Sequence, residues 1–177
     1  MQQRGSNLNL RLATAAEAAE IVRVHFAAVH QTAASNYDHE ILAQWSTPIS
    51  TQRIAELEER MRSDADGEIT VVAERENEKQ ENEIVGFGSI CPRENELRAV
   101  YVSPHAGRSG VGSAILAHLE QLAKQNGMSQ LVLDSSLTAR DFYLRHGFTE
   151  IKQDIHKLRS GGEMVCIRMK KRFEAVD

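Results

Sequence analysis

The stretch that decides the fold is residues 100–116, which read VYVSPHAGRSGVGSAIL. An apolar strand ends at Pro104, a loop with three glycines follows, and a long amphipathic helix comes next. Glycine tolerates a positive φ and lets a ligand approach the backbone without meeting a Cβ. The first turn of the helix offers backbone N–H groups that have no internal partner, at the positive end of the helix dipole. The segment therefore predicts a site for a phosphate-bearing ligand.

Two common phosphate-binding signatures do not match this loop. A Walker A loop reads G-x-x-x-x-G-K-[ST], and although Gly107 and Gly112 have that separation, Ser113 stands where the lysine is required. A dinucleotide fingerprint reads G-x-G-x-x-G, and Ile115 replaces its third glycine. Asp134 does follow at the distance of a ribose-binding acid, so a nucleotide-binding protein stays open as an alternative.

A third signature fits the loop better. The run V-x-V-x-P, followed by a glycine-rich loop that ends GVGSAIL, resembles the acetyl-CoA pyrophosphate loop of the GNAT superfamily of N-acetyltransferases. The superfamily signature, [QR]-x-x-G-x-[GA], follows the fourth strand, and both of its small residues match here at Gly110 and Gly112. Gly107 replaces the usual Gln or Arg, and the neighbouring Arg108 can supply part of the missing charge. The other contacts in such a loop come from backbone amides.

A second stretch, residues 131–148, also resembles the superfamily. It reads LVLDSSLTARDFYLRHGF, against a family pattern of a strand followed by N-x-x-A-x-x-[FL]-Y-x-x-x-G-F. The matching residues are Ala139, Phe142, Tyr143, Gly147 and Phe148, whereas Ser136 stands where asparagine is common. The two signatures come in the family's order and together cover roughly the C-terminal half of the chain. The N-terminal patterns that contain His25, His30, Tyr37 and Trp45 resemble a subgroup of bacterial GNAT proteins.

The amino-acid composition argues against several other classes of function. The 177 residues are 41% hydrophobic, which suits one domain, and the net charge of −4 indicates neither a nucleic-acid nor an anionic-membrane partner. Cys91 and Cys166 lie far apart without a C-x-x-C partner, so we expect no disulfide and no metal site. No apolar run has membrane-spanning length and no signal-peptide core is present, which predicts a cytoplasmic protein. Residues 1–7 are predicted to be a flexible N-terminus and residues 8–177 the acetyltransferase domain. The oligomeric state is left open, with a homodimer as one alternative.

Hydrophobic periodicity predicts the element order βααβββαβαββ, a mixed α/β sheet with helices on both faces. Strands are predicted at residues 8–13, 68–74, 83–91, 96–102, 131–133 and 148–151, and around residues 165–169. A capping box of Thr14 and Glu17 opens the first helix, which is expected to end near Gln31. Asp38 caps a short helical turn and Ser50 opens the next helix. The GNAT resemblance further implies that strands four and five splay apart and leave a slot for the cofactor.

The resemblance also implies which residues bind acetyl-CoA. Strand four contacts the thioester and pantetheine through its backbone, and the loop holds the pyrophosphate with N–H groups. The predicted cofactor-binding residues are Val100, Tyr101, Val102, Gly107, Arg108, Ser109, Gly110, Val111, Gly112, Ser113, Ser136, Ala139 and Tyr143.

Acetyl transfer to an amine requires a base for the amine and a hydrogen-bond or proton donor for the thiolate, and the sequence identifies a single candidate only for the donor. The amine, with a pKa of ~10 if it is lysine-like, must lose a proton, and the departing CoA thiolate needs a proton or a strong hydrogen bond. Tyr143 matches the superfamily tyrosine that lies beside the CoA sulfur and is the predicted catalytic donor. Glu96 and His30 are both candidates for the general base, and the choice stays open.

The first two helices of GNAT proteins line the acceptor side of the slot. By this resemblance Tyr37, Trp45, His25 and His30 are acceptor-pocket candidates, and simple packing between the helices is the alternative for Trp45 and one histidine. The sequence thus favours an enzyme that moves an acetyl group from acetyl-CoA to a primary amine, on a small molecule or a peptide, by direct attack in a ternary complex. A non-catalytic acyl-CoA-binding module stays open as well.

Overall fold

Seven strands and five α-helices lie within residues 8–77 and 79–174, the part of the chain that the computed structural model describes. They are β1 (Asn9–Leu12), α1 (Ala18–Ala27), α2 (His39–Trp45), α3 (Thr51–Ser63), β2 (Ile69–Glu76), β3 (Asn82–Cys91), β4 (Glu96–Val102), α4 (Val111–Gln125), β5 (Gln130–Ser136), α5 (Arg140–Arg145), β6 (Thr149–Lys157) and β7 (Glu163–Arg172). The strands form one sheet in the order β1-β2-β3-β4-β5-β7-β6. The predicted flexible residues 1–7 lie outside the described part, as do residues 175–177 of the predicted domain.

Both faces of the sheet are covered by helices, as predicted. Val71 and Val72 are consecutive in β2 and therefore point to opposite faces, yet both are fully buried. Val71 belongs to the cluster that packs against α4, whereas Val72 packs with Ile21 and Val24 of α1. None of the helices in the described part of the chain is long and apolar enough to cross a membrane.

The N-terminal helices differ from the prediction in number and in shape. The short turn capped by Asp38 is a full helix, α2, because the Asp38 carboxylate accepts the Ile41 N–H at 2.9 Å and Leu42 is buried. Three helices rather than two therefore separate β1 from β2. Helix α1 ends at Ala27, and a π-helical turn, Ala28–Thr32, follows it directly. Such wide turns are rare and occur often at functional sites.

Two glycines in β3 bring helix α4 close to the sheet. A Cβ at Gly86 would lie 2.8 Å from Ile115, and one at Gly88 would lie 2.7 Å from the same side chain, so neither position has room for a larger residue. Ile115 is fully buried against these glycines. The close approach fixes the start of α4 beside the end of β4, where the glycine loop joins them.

Strands β4 and β5 run parallel and separate almost at once. One residue pair, Glu96 with Val132, joins the two strands, supported by a 2.8 Å hydrogen bond from the Val132 N–H to the Asn95 carbonyl. Directly afterwards the register between β3 and β4 shifts and leaves Arg98 without an opposite residue. A bulge of this kind bends a strand, so β4 turns away from β5 at this point. The predicted splay of strands four and five is confirmed.

Candidate active site

The splayed strands enclose a cavity of about 600 Å³, which we call the slot. Its walls are the second half of β4, the glycine loop, β5, α5 and the π-helical turn after α1. Eleven of the predicted cofactor-binding residues line it, namely Val100, Tyr101, Val102, Gly107, Arg108, Gly110, Gly112, Ser113, Ser136, Ala139 and Tyr143. Ser109 and Val111 do not line the slot. Val111 is buried in the core, and the Ser109 hydroxyl donates to the Ala106 carbonyl at 2.7 Å, which braces the loop from within.

The loop presents the start of α4 to the slot. Gly110 is the N-cap residue with a φ of +85°, a conformation that other residues adopt at a cost, and open space surrounds the position of a Cβ. The first helical hydrogen bond runs from Ala114 N–H to the Gly110 carbonyl at 3.0 Å. The N–H groups of Val111, Gly112 and Ser113 therefore have no partner inside the helix and are available to an anion.

The Ser113 hydroxyl in the first turn of α4 has a fixed partner that the sequence did not indicate. His146 Nδ1 donates to the Phe142 carbonyl at 2.7 Å, which leaves Nε2 as the acceptor of neutral imidazole, 2.9 Å from Ser113 Oγ. The Ser113 hydroxyl hydrogen is thus committed to His146. Towards an anion in the slot, Ser113 has its backbone N–H to offer.

Arg108 is expected to help hold the phosphates only modestly. It is exposed at the rim of the slot, with a left-handed φ of +56°. Because a solvated cation contributes little, Arg108→Ala should weaken acetyl-CoA binding by ~1 kcal/mol or less, and the loss should shrink at high salt. Titration calorimetry at two salt concentrations tests this, with Arg23→Ala as the exposed control outside both cavities. A hundredfold, salt-independent loss would contradict it and would mean that Arg108 has a buried, structural role.

Tyr143 on α5 is buried and lines the slot, with its side chain only 6% exposed. Among the described residues none hydrogen-bonds its hydroxyl, so this group is not used to hold the core together. Burial raises the pKa of the Tyr143 phenol, which keeps it protonated and able to donate. Phe142 is half-buried and lines the slot beside Tyr143, with ring centroids 5.1 Å apart. Both aromatic rings of this six-residue helix therefore line the same opening.

A second cavity of about 490 Å³ lies between α1, α3, strands β2 to β4 and the hairpin of β6 and β7. Of the four predicted acceptor-pocket residues, His25 and Trp45 line it, whereas Tyr37 and His30 line neither cavity. The Trp45 indole donates to the Tyr101 hydroxyl at 3.2 Å, and burial raises the pKa of Tyr101 to about 12.

Tyr37 has a structural role. Its hydroxyl donates to the Val165 carbonyl of β7 and accepts the Leu137 N–H, both at 2.8 Å. It therefore ties the segment between α1 and α2 to the loop before α5. His30 is similarly engaged, since its Nε2 lies 2.8 Å from the Ser46 carbonyl oxygen and must donate to it.

Glu96, the other candidate base, belongs to a cluster of charges around Arg98. Its carboxylate accepts from Arg98 Nε at 3.0 Å, and Glu68 and Glu94 bind the same guanidinium at 3.2 and 3.1 Å. Glu96 lines neither cavity, and nor does His30, so the structure places both predicted base candidates away from the openings.

His25 lines the second cavity but has no free lone pair. Its Nδ1 accepts from Arg53 at 3.0 Å and lies 2.9 Å from Ser46 Oγ. Burial and the Arg53 charge lower the pKa of His25 to about 3, so the ring is neutral near pH 7.

The slot and the second cavity share part of their lining. In the described part of the chain five residues line both cavities: Trp45 and Tyr101, which the sequence indicated, and Arg98, Ala99 and His156, which it did not. His156 lies on β6, and its Nδ1 is 3.2 Å from a carboxylate oxygen of Asp134 on β5. The other Asp134 oxygen accepts from Arg168 on β7 at 2.9 Å. Asp134, weighed from the sequence as a ribose-binding acid, is therefore bound to two side chains in this fold.

Cys166 on β7 also lines the slot. Burial, together with the nearby Asp134 carboxylate, raises the pKa of its thiol to about 11. A thiol of that kind is a poor nucleophile near pH 7, because the thiolate is the reactive form. Within residues 8–77 and 79–174, no group of three or more histidine, cysteine or acidic side chains is placed to hold a metal ion.

A mixed sheet with one parallel pair that splays over a glycine loop defines an acetyltransferase of the GNAT type. The chain belongs to this family, since the Acetyltransferase (GNAT) domain matches residues 33–172. It is similar to the uncharacterized N-acetyltransferase YafP of Escherichia coli K12, at 39% identity over 69 residues. That match spans 39% of this chain and 41% of YafP.

Solved structures share the fold over nearly the whole chain. A GCN5-related N-acetyltransferase from Rhodopseudomonas palustris is 23% identical and superposes with a TM-score of 0.79, covering 98% of this chain and 100% of its own. YncA from Salmonella typhimurium, solved with acetyl-CoA, is 24% identical with a TM-score of 0.63 and 97% coverage of both chains. The GNAT resemblance and the predicted fold class are confirmed.

Proposed function

We propose that this protein transfers the acetyl group of acetyl-CoA to a primary amine of a small molecule or a peptide. The observation that carries the proposal is the arrangement of the slot and the second cavity, which share part of their lining. The slot holds free helix N–H groups at its loop and the uncommitted Tyr143 hydroxyl in its wall, and it opens into a second cavity that can admit an acceptor. The similar YncA structure contains acetyl-CoA, which supports the choice of ligand.

The residues of the slot fit a CoA thioester. The N–H groups that follow Gly110 would bind the pyrophosphate. The edge of β4 that has separated from β5 has lost its strand partner, so its backbone would bind the pantetheine amides and the thioester oxygen. Open space around Gly110 leaves room for a phosphate group against the backbone.

In the proposed reaction the amine nitrogen bonds to the thioester carbon, the carbon–sulfur bond breaks, and the amine proton passes to a base. The Tyr143 hydroxyl would interact with the departing CoA sulfur. A free phenol has a pKa of ~10 against ~8.5 for a thiol, and burial raises the phenol further, so full proton transfer is unfavourable. A strong hydrogen bond from Tyr143 to the developing thiolate is the role we propose. The protonated state of Cys166 supports direct attack by the amine over a covalent acetyl-cysteine route.

A thermal-shift comparison with acetyl-CoA, CoA, NAD and ATP tests the ligand class. A ligand at 100 times its dissociation constant adds ~2.7 kcal/mol of stability, which is readily measured. We expect acetyl-CoA and CoA to stabilise the protein, and NAD and ATP to leave its stability unchanged. Stabilisation by NAD or ATP without acetyl-CoA would favour the nucleotide-binding alternative. Stabilisation by acetyl-CoA without amine-dependent CoA release would favour the non-catalytic binding module.

A further inference from the structure

The junction between the slot and the second cavity is where an amine and a thioester can meet. A base that deprotonates the amine must therefore lie at this junction, within hydrogen-bond reach of the reacting nitrogen. The residues available are the five that line both cavities: Trp45, Arg98, Ala99, Tyr101 and His156.

One of the five can accept a proton near neutral pH. The Trp45 indole only donates, and Ala99 has no polar side chain. Arg98 stays protonated and is bound by carboxylates, and the Tyr101 phenol is protonated near pH 7. The imidazole of His156 is the group that remains, and imidazole is the side chain suited to proton transfer in this pH range.

The contacts of His156 leave the correct nitrogen free. A carboxylate can only accept, so in neutral imidazole the hydrogen lies on Nδ1 and is donated to Asp134 at 3.2 Å. Nε2 then carries a lone pair, and no residue in the described part of the chain hydrogen-bonds it. Arg168 holds Asp134 in place at 2.9 Å, so the ring orientation is fixed through two strands.

The hairpin that carries His156 is anchored to the acceptor side. The Ser160 hydroxyl donates to the Gln44 carbonyl of α2 at 2.8 Å, and Leu158 N–H closes the turn onto the Gly162 carbonyl at 2.7 Å. His156 therefore belongs to a segment held against the second cavity.

Two other groups that line the second cavity, His25 and Glu68, are less suited to act as the general base. His25 has its Nδ1 occupied by Arg53, which leaves its other nitrogen as a donor. The Glu68 carboxylate accepts from Ser89 at 2.6 Å and from Arg98 at 3.2 Å, and it does not reach the slot.

We propose that His156 is the general base and that Asp134 is its positioning residue, an inference that rests on the proposed function. His156 Nε2 takes the proton from the attacking amine as the carbon–nitrogen bond forms. The Asp134 carboxylate stabilises the imidazolium produced. Because the His156 side chain is 46% exposed, it can then pass the proton to water.

Charged groups approach His156 from each element packed against it. They are Asp134 on β5, Arg168 on β7, Arg98 on β4, Lys152 and Asp154 on its own strand, and Arg159 in the hairpin turn. The direct contact among these is the Asp134 carboxylate, which favours the charged ring. Removing that charge should move the acidic limb of the kcat/KM profile to lower pH, because the imidazolium formed in the reaction loses its counter-charge.

The test measures kcat/KM against pH for His156→Gln, Asp134→Asn and the wild type, with acetyl-CoA affinity measured in parallel. We expect His156→Gln to lower kcat/KM by about 100-fold or more and to remove the acidic limb, with acetyl-CoA affinity within about twofold. Asp134→Asn should retain more activity and shift the limb to lower pH, which a merely structural role would not do. His105→Gln is the matched control, because His105 also faces a carboxylate, Glu83 at 3.4 Å, but lines neither cavity.

Normal turnover by His156→Gln with an unchanged acidic limb would overturn the inference. If His156→Gln proves unstable, an unshifted limb in Asp134→Asn would overturn it independently. Absence of amine acetylation by the wild type would instead count against the proposed function, so the two failures are distinguishable.

Discussion

Replacing Gly110 by glutamate is expected to abolish stabilisation by acetyl-CoA while the protein stays folded. Gly110 is the N-cap of α4 and lines the slot, and open space around its Cβ position would let the new side chain extend into the opening. The added carboxylate would compete for the free N–H groups of α4 and repel the phosphates of the ligand. Calorimetric titration with acetyl-CoA and thermal melting of the free protein measure the two effects separately.

The control for this experiment lies at the other end of the same helix. Gly127 has a φ of +75°, also has open space around its Cβ position, and lines neither cavity. Gly127→Glu therefore carries the same backbone strain, ~1–2 kcal/mol for a left-handed residue, without touching the slot. We expect unimpaired binding in Gly127→Glu and a melting temperature no higher than that of Gly110→Glu, because the Gly127→Glu carboxylate lies at the negative end of the helix dipole. Undiminished binding in Gly110→Glu would exclude this loop as the phosphate site.

Replacing Tyr143 by phenylalanine should lower kcat by ~10²-fold. The expected loss is confined to the chemical step because no described residue hydrogen-bonds the hydroxyl, so its removal costs the fold little. Acetyl-CoA affinity and the melting temperature should barely change. Steady-state kinetics at saturating acetyl-CoA, with a melting curve of each preparation, provide the measurement.

Tyr37→Phe is the matched control, since it removes the same atom from a tyrosine that lines neither cavity. Its hydroxyl makes two hydrogen bonds, so we expect a loss of about 1–3 kcal/mol in the free energy of unfolding and a near-normal kcat. Tyr143→Phe should therefore lower kcat and leave stability unchanged, whereas Tyr37→Phe should lower stability and leave kcat unchanged. If Tyr143→Phe turns over normally, or loses activity only by unfolding, Tyr143 is not the donor.

Local patterns predicted the parts of the site that depend on backbone conformation. The left-handed φ at Gly110 and the free N–H groups after it follow from residues close together in sequence, so the loop and the start of α4 could be identified directly. The splay of β4 and β5 followed from resemblance alone, because the bulge at Arg98 that bends β4 has no signature in the periodicity.

Side-chain partners across the sheet could not be predicted. Asp134 on β5 and His156 on β6 meet across β7, the last strand in sequence, which lies between their two strands, and neither segment carries a pattern that predicts this strand order. Glu96 and His30 have the right chemistry for a base, but Glu96 binds Arg98 two residues along its own strand and His30 donates to the Ser46 carbonyl, so neither faces a cavity. The π-helical turn that widens α1 at the slot likewise depends on packing around Ala28 and Val29, both buried.

Transfer of an acetyl group from acetyl-CoA to an amine is the activity that we propose for this chain. The measurement that tests it most directly follows CoA release across a panel of primary amines and, in the same samples, the mass of each amine. We predict that at least one primary amine raises CoA release well above the rate without amine and gains one acetyl group per CoA released, and that the matching tertiary amine does neither. CoA release that no amine accelerates, from a protein that binds acetyl-CoA, would contradict the account.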